Sequence, residues 1–100
     1  MNEQVFDALG DQTRRQLLRL LASSGGATAT QLAGHVPITR QAVVKHLGVL
    51  AEAGLVVSAR AGREVRFELR TAPLDDARDW IDQVGTAWDA RLGRLADRFR

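Results

Sequence analysis

The sequence contains no cysteine, so neither a disulfide nor a thiolate metal site is available to it. It has no tyrosine, and its apolar runs fall well short of the ~20 residues of a membrane-spanning helix. The opening MNEQVFDALG lacks the basic and apolar regions of a secretory signal, so a cytoplasmic location with no membrane partner is the expectation. His35 and His46 fall on different predicted helices, and Ser23 and Ser24 lie in a linker with no histidine close by in sequence. No catalytic residue is assigned and an enzyme is not expected. The most informative absence is of acidic residues: from Gln12 through Ala51 there is no Asp or Glu, while Arg14, Arg15, Arg19, Arg40 and Lys45 fall inside that window.

One hundred residues, 45% apolar and 26% charged, suit a single globular domain over 1–100. The formal net charge is only +2, but it is unevenly spread. Residues 1–37 are neutral overall, 38–70 carry +3 and 71–100 carry −1. The positive middle third is where a surface for a polyanion is expected.

That middle third opens with TRQAVVKHLGVLAEAG, residues 39–54. Val43, Leu47 and Leu50 recur at helical spacing, while Arg40, Gln41, Val44 and Lys45 fall on another side. Thr39 is placed to cap the helix after Pro37, and Gly54 to end it. Upstream, residues 3–9 read as a short helix with Val5, Phe6 and Leu9 on its apolar side. Asp11 can then cap a helix from Gln12 to about Ser23, built on Leu17, Leu18, Leu20 and Leu21. Its Arg14 and Arg15 have two readings, a solvated face or phosphate contacts. After the Ser23-Ser24-Gly25-Gly26 break, Thr28 and Gln31 fit a capping box for a short helix to about His35, burying Leu32 and Val36. Thr28 is a further candidate for a phosphate. A short helix, a turn and a longer helix with a polar leading edge is the helix-turn-helix pattern.

Beyond Leu55 the period changes. Residues 64–70 alternate strictly, with Val65, Phe67 and Leu69 on one face, and Val56-Val57 begins a partner strand across a turn at Ala61-Gly62. This is a two-stranded wing whose tip is flanked by Arg60 and Arg63. Those arginines suit either a minor groove or the charge that keeps edge strands from aggregating. Pro73 opens a last helix from about Leu74 to Arg98. Asp75, Asp76, Asp79 and Asp82 at its start and Arg91, Arg94, Arg98 and Arg100 at its end match the helix macrodipole. Leu74, Ala77, Ile81, Val84, Trp88, Leu92, Leu95 and Phe99 form one apolar stripe of about 37 Å, with Trp80 off it. A small three-helix core does not cover such a length, so burial against a second copy is expected. The alternative is a helix folded wholly onto its own domain.

Together the segments FDALGDQTRRQLL (6–18), TRQAVVKHL (39–47), EAGLV (52–56) and Gly62-Arg63 resemble the ArsR-type winged-helix transcriptional repressors, over nearly the whole chain. The resemblance implies a mainly α fold of about five helices plus a small hairpin. It also implies a homodimer joined through its terminal helices, with two recognition helices reading an inverted repeat. Val5, Phe6, Leu9, Leu74, Ile81, Val84, Trp88, Leu92 and Leu95 would then form the dimer interface. The metal-sensing members carry cysteines near the recognition helix, or His and acidic ligands on the terminal helix. This chain has neither pattern, so the branch without a metal site is expected and no cofactor is assigned. Gln12 stands where relatives often have proline, and Val44 where many carry a small polar residue.

The function expected is sequence-specific binding of double-stranded DNA. Arg40 and Gln41 would reach base edges, Val44 a thymine methyl, and Thr39 and Lys45 phosphates. His46 would hold a phosphate or pack as a structural histidine. The competing reading is a winged-helix module for protein partners. The inducing signal is left open between a small molecule at the dimer seam, a partner protein and nothing beyond autoregulation.

Overall fold

The computed structural model describes residues 3–99; Arg100, expected among the cations at the chain's end, lies outside them. Five helices and three strands follow in the order α1 (Glu3–Leu9), α2 (Gln12–Ser24), β1 (Ala27–Thr28), α3 (Ala29–Ala33), α4 (Arg40–Glu52), β2 (Val56–Ala61), β3 (Glu64–Leu69) and α5 (Ala72–Arg98). One cluster of buried side chains joins them. Val5 and Ala8 of α1, Leu17, Leu18 and Leu21 of α2, Leu32 of α3, and Val43, Leu47 and Leu50 of α4 meet with Leu55 and Val56. Leu47 is fully buried, and removing a side chain of that size from water contributes ~1.5–3 kcal/mol.

Helices α2, α3 and α4 each start where the sequence supplies a side-chain acceptor. Asp11 accepts from the Arg14 backbone N–H, and Thr39 from that of Ala42. Thr28 and Gln31 form the reciprocal box: Gln31 N–H donates to Thr28 Oγ1 at 3.1 Å and Thr28 N–H to Gln31 Oε1 at 2.9 Å. Helix α4 ends in a Schellman arrangement around Gly54 at φ +78°. The Leu55 N–H reaches Leu50 O at 2.9 Å and the Gly54 N–H reaches Ala51 O at 3.0 Å. The accompanying apolar contact is between two fully buried leucines, Leu50 and Leu55.

The sheet has one more strand than expected. β1, two residues long, pairs antiparallel with β3 (Ala27 with Phe67, Thr28 with Arg66), giving the order β1-β3-β2. The wing is thereby tied to the base of α3. Gly26, at φ +137°, lies where a Cβ would sit 3.2 Å from Glu68 Cγ, and its carbonyl accepts from Arg66 Nη2 at 3.0 Å. The hairpin turn is also one residue later than expected. Ala61 pairs with Glu64, so the loop is Gly62-Arg63, with Gly62 at φ +63° as the first central residue of a II′-type turn requires.

Val5, expected at a dimer interface, is 2% exposed and belongs to this chain's own core, with almost no surface left for a partner. Phe6 packs edge-on against Trp80 of α5, with ring centroids 5.3 Å apart. This contact and Ala77 anchor the first turns of α5. Beyond them the helix leaves the domain, which accounts for the 67 Å long dimension against 25 and 22 Å for the others.

Replacing Gly54 with alanine leaves the nearest neighbour, Pro73 Cγ, at an ordinary 3.6 Å, so the cost is that of the left-handed backbone alone. A loss of about 1–2 kcal/mol is expected in urea unfolding at fixed protein concentration. Leu47→Ala, which opens a core cavity, should lose about 2–5 kcal/mol in the same assay. Equal midpoints for the two variants would contradict this description.

Candidate nucleic-acid interface

The period of α4 decides what faces outward. With Val43, Leu47 and Leu50 held in the core, Arg40, Gln41, Val44 and Lys45 are exposed. Of these, Arg40 and Val44 line a groove of about 560 Å³ between the helix-turn-helix and the wing. Thr28, Thr30 and Arg40 line one side of it, and Arg63 and Val65 the other, with Val44 between. Glu64 is the one carboxylate in that lining, and it belongs to the wing.

Arg40 is held in place by a neighbour the sequence reading missed. Its Nε donates to Thr30 Oγ1 at 3.1 Å. Among the described residues its two terminal nitrogens make no hydrogen bond, so they remain available as a two-pronged donor. Nothing in the spacing pointed to Thr30, which sits on another helix ten residues upstream. Val65 was missed for a different reason. It alternates with Phe67 and Leu69 as expected, but lies nearer the wing tip, past the reach of the core, and is 42% exposed. Lys45 is exposed on α4, and Arg60 is exposed on β2.

Arg14, with its two readings of solvated face or phosphate contact, is engaged within the chain. Its Nε donates to Ala8 O at 2.8 Å and its Nη2 to Asp7 O at 3.0 Å, so this guanidinium closes the carbonyl end of α1. Its Nη1 lies 3.4 Å from His46 Nδ1 and 4.0 Å from Asp11 Oδ2. Arg15, which stays exposed, gives Nη1 to Leu9 O at 2.7 Å. Three successive carbonyls of α1 thus find their donors on the first turn of α2. Thr28 and Thr39 both spend their hydroxyl acceptor on a helix cap, which leaves each hydroxyl proton free to donate outward. His46 is half-buried against Arg14.

The second surface is the outer length of α5. Ile81, Val84, Trp88, Leu92 and Leu95 are between 43% and 57% exposed, and Phe99 is 82% exposed. Phe6, Leu9 and Leu74 are partly buried against the core at the root of this helix. Among the described residues no three His, Cys, Asp or Glu side chains gather in a way that could hold a metal ion, and no helix is long and apolar enough to cross a membrane.

Residues 9–59 match a helix-turn-helix domain family. The transcriptional repressor SdpR of Bacillus subtilis is 35% identical over 77 residues, covering 77% of this chain and 84% of that one. An ArsR-like transcriptional regulator from Rhodococcus sp. RHA1 superposes with a TM-score of 0.87 at 37% identity, over 95% of this chain and 86% of that one. The chain belongs to the ArsR family of transcriptional regulators. A third ArsR relative, the cadmium metal-sensor CMTR from Mycobacterium tuberculosis, is 39% identical over 67% of this chain and 68% of its own, with a TM-score of 0.59. As an ArsR protein the chain is a DNA-binding transcriptional regulator with a winged helix-turn-helix fold. The competing reading, a module for protein partners alone, finds no support among these relatives.

The corner between α1 and α2 has a pH signature. The Arg14 backbone N–H holds the Asp11 carboxyl below the ordinary value of 3.8. Against a smaller desolvation penalty, the Arg14 guanidinium, His46 and the Thr13 N–H add to that effect. Because the folded value is depressed, the stabilisation is complete above the unfolded value and lost as pH falls through the folded one. Relative to Asp11→Ala, the wild type should therefore be more stable at about pH 5, and the gap in urea midpoint should narrow by about pH 3. A gap that stays constant over this range would contradict the assignment.

Proposed function

We propose that two copies of the chain pair through α1 and α5 and repress transcription by occupying an inverted repeat that overlaps a promoter. Residues 1–100 then act as one DNA-binding domain with dimerisation helices at both ends. The observation that carries this reading is the groove beside α4. A pre-positioned Arg40 stands on one side and Arg63 on the other, and the forty residues from Gln12 through Ala51 supply no carboxylate. The terminal nitrogens of Arg40 match guanine O6 and N7, and the Gln41 amide matches adenine N6 and N7. Lys45, Thr39 and Thr28 hold phosphates and fix register. At the wing tip Arg60 and Arg63 enter the adjacent minor groove, where width and negative potential favour arginine.

The exposed stripe on α5 supports the pairing. Its side chains keep about half their surface, so covering them with a second copy gains on the order of 1 kcal/mol each. Two-fold symmetry places the recognition helices about 34 Å apart, one turn of the duplex. The B. subtilis relative is named a repressor, which favours repression over activation here. With no thiolate in the chain, release from DNA is assigned to a small molecule or protein effector rather than to a thiophilic metal.

Selection of bound fragments from a random duplex pool tests this directly. An inverted repeat with half-sites about one turn apart is expected. Arg40→Ala should lose discrimination at one base pair per half-site, by about 1–3 kcal/mol, with little change on random DNA. Trp88→Glu should sediment as a monomer and lose operator affinity. Selection of no sequence, or a Trp88→Glu protein that stays dimeric and binds normally, would overturn the proposal.

A further inference from the structure

We infer that Val44 is a methyl reader on the DNA-facing side of α4, so that each half-site must carry a thymine methyl at one fixed position relative to the guanine under Arg40. The inference rests on the DNA reading proposed above and adds to it a base that no hydrogen bond selects.

Val44 and Val65 are each 42% exposed and line the same groove, Val44 from α4 and Val65 from β3. Val49, the other exposed valine of α4, does not line it. A β-branched side chain on a helix surface is a poorer helix former than the lysine or glutamine beside it, so nothing in the local structure favours Val44 there. It has no donor or acceptor. Of the groups a base pair presents in the major groove, only the C5 methyl of thymine complements such a surface. A residue without a methyl group at this place would leave the thymine methyl unread.

The spacing fixes where the methyl lies. With the α4 axis taken to run along the duplex axis, the four residues from Arg40 to Val44 span about 6 Å, close to two base steps. Arg40 is held by the hydrogen bond from its Nε to Thr30 Oγ1, which narrows the range of distances between the two readers. A half-site therefore pairs one guanine contact with one thymine contact about two base pairs away. Because the required group is a methyl, 5-methylcytosine in place of that thymine restores the apolar contact that plain cytosine lacks.

The experiment replaces each thymine of a selected operator, one at a time, with deoxyuridine, and measures binding of the intact wild-type protein by fluorescence anisotropy. Deoxyuridine deletes only the methyl, so neither pairing nor the protein's folding is disturbed. At one position per half-site, about two pairs from the base at which Arg40→Ala loses discrimination, affinity should fall about fourfold, and about 15-fold when both half-sites are changed. Val44→Ala should bind the thymine and deoxyuridine operators alike, whereas Val44→Thr, which keeps a methyl, should retain the difference. Insensitivity to every thymine-to-deoxyuridine change, or a sensitive position that remains so in Val44→Ala, would overturn the inference while leaving the DNA reading intact. Failure to bind any selected duplex would overturn both.

Discussion

The burial of one seam on α4 is the constraint from which the rest follows. Val43, Leu47 and Leu50 are completely covered, and no other rotation of the helix keeps all three out of water. At 3.6 residues per turn that choice turns Arg40, Gln41, Val44 and Lys45 outward together. The Schellman closure at Gly54 then reverses the chain within a residue or two, and the Arg70 N–H bonds to Leu55 O at 2.8 Å, so the wing rises beside the helix it must cooperate with. Recognition chemistry is in this sense a by-product of hydrophobic packing. The groups available to DNA are those the core has no use for.

The corner formed by α1 and α2 shows the opposite use of charge. A helix of seven residues ends with carbonyls short of backbone donors, and here arginine side chains supply them at Ala8 and Leu9 and add a second donor at Asp7, whose carbonyl also accepts from the Gly10 N–H. Arg14 extends this corner to His46, in the middle of α4. The helix proposed to hold the partner copy and the helix proposed to read DNA therefore share one polar node. The Phe6–Trp80 contact ties the same α1 to α5. Side chains in contact therefore run from α5 through α1 and the first turn of α2 to α4.

Much of this was legible in the sequence, and the exceptions have physical causes. The caps at Asp11, Thr28 and Thr39 and the stop at Gly54 are local signals, complete within four residues, and each is found where the sequence puts it. The apolar seam of α4 and the alternation in 65–69 follow from period alone. Strand β1 escaped because two residues carry no period, and its pairing with Phe67 and Arg66 crosses about forty positions. The role of Arg14 escaped because its partners are main-chain carbonyls, which every residue has and which spacing does not mark. Val5 shares its face with Phe6 and Leu9 in the sequence, and only the approach of α2 and α4 decides which of them is covered. The exposed stripe of α5 was visible as an excess of apolar length over what so small a core can cover.

The central claim is that two copies present their carboxylate-poor faces to the same side of a duplex, one turn apart. Hydroxyl-radical footprinting of both strands of a bound operator reads this geometry directly. Two protected patches about ten base pairs apart, on one face of the duplex and related by a two-fold axis, are expected. A single patch, or two patches with no two-fold relation, would contradict it.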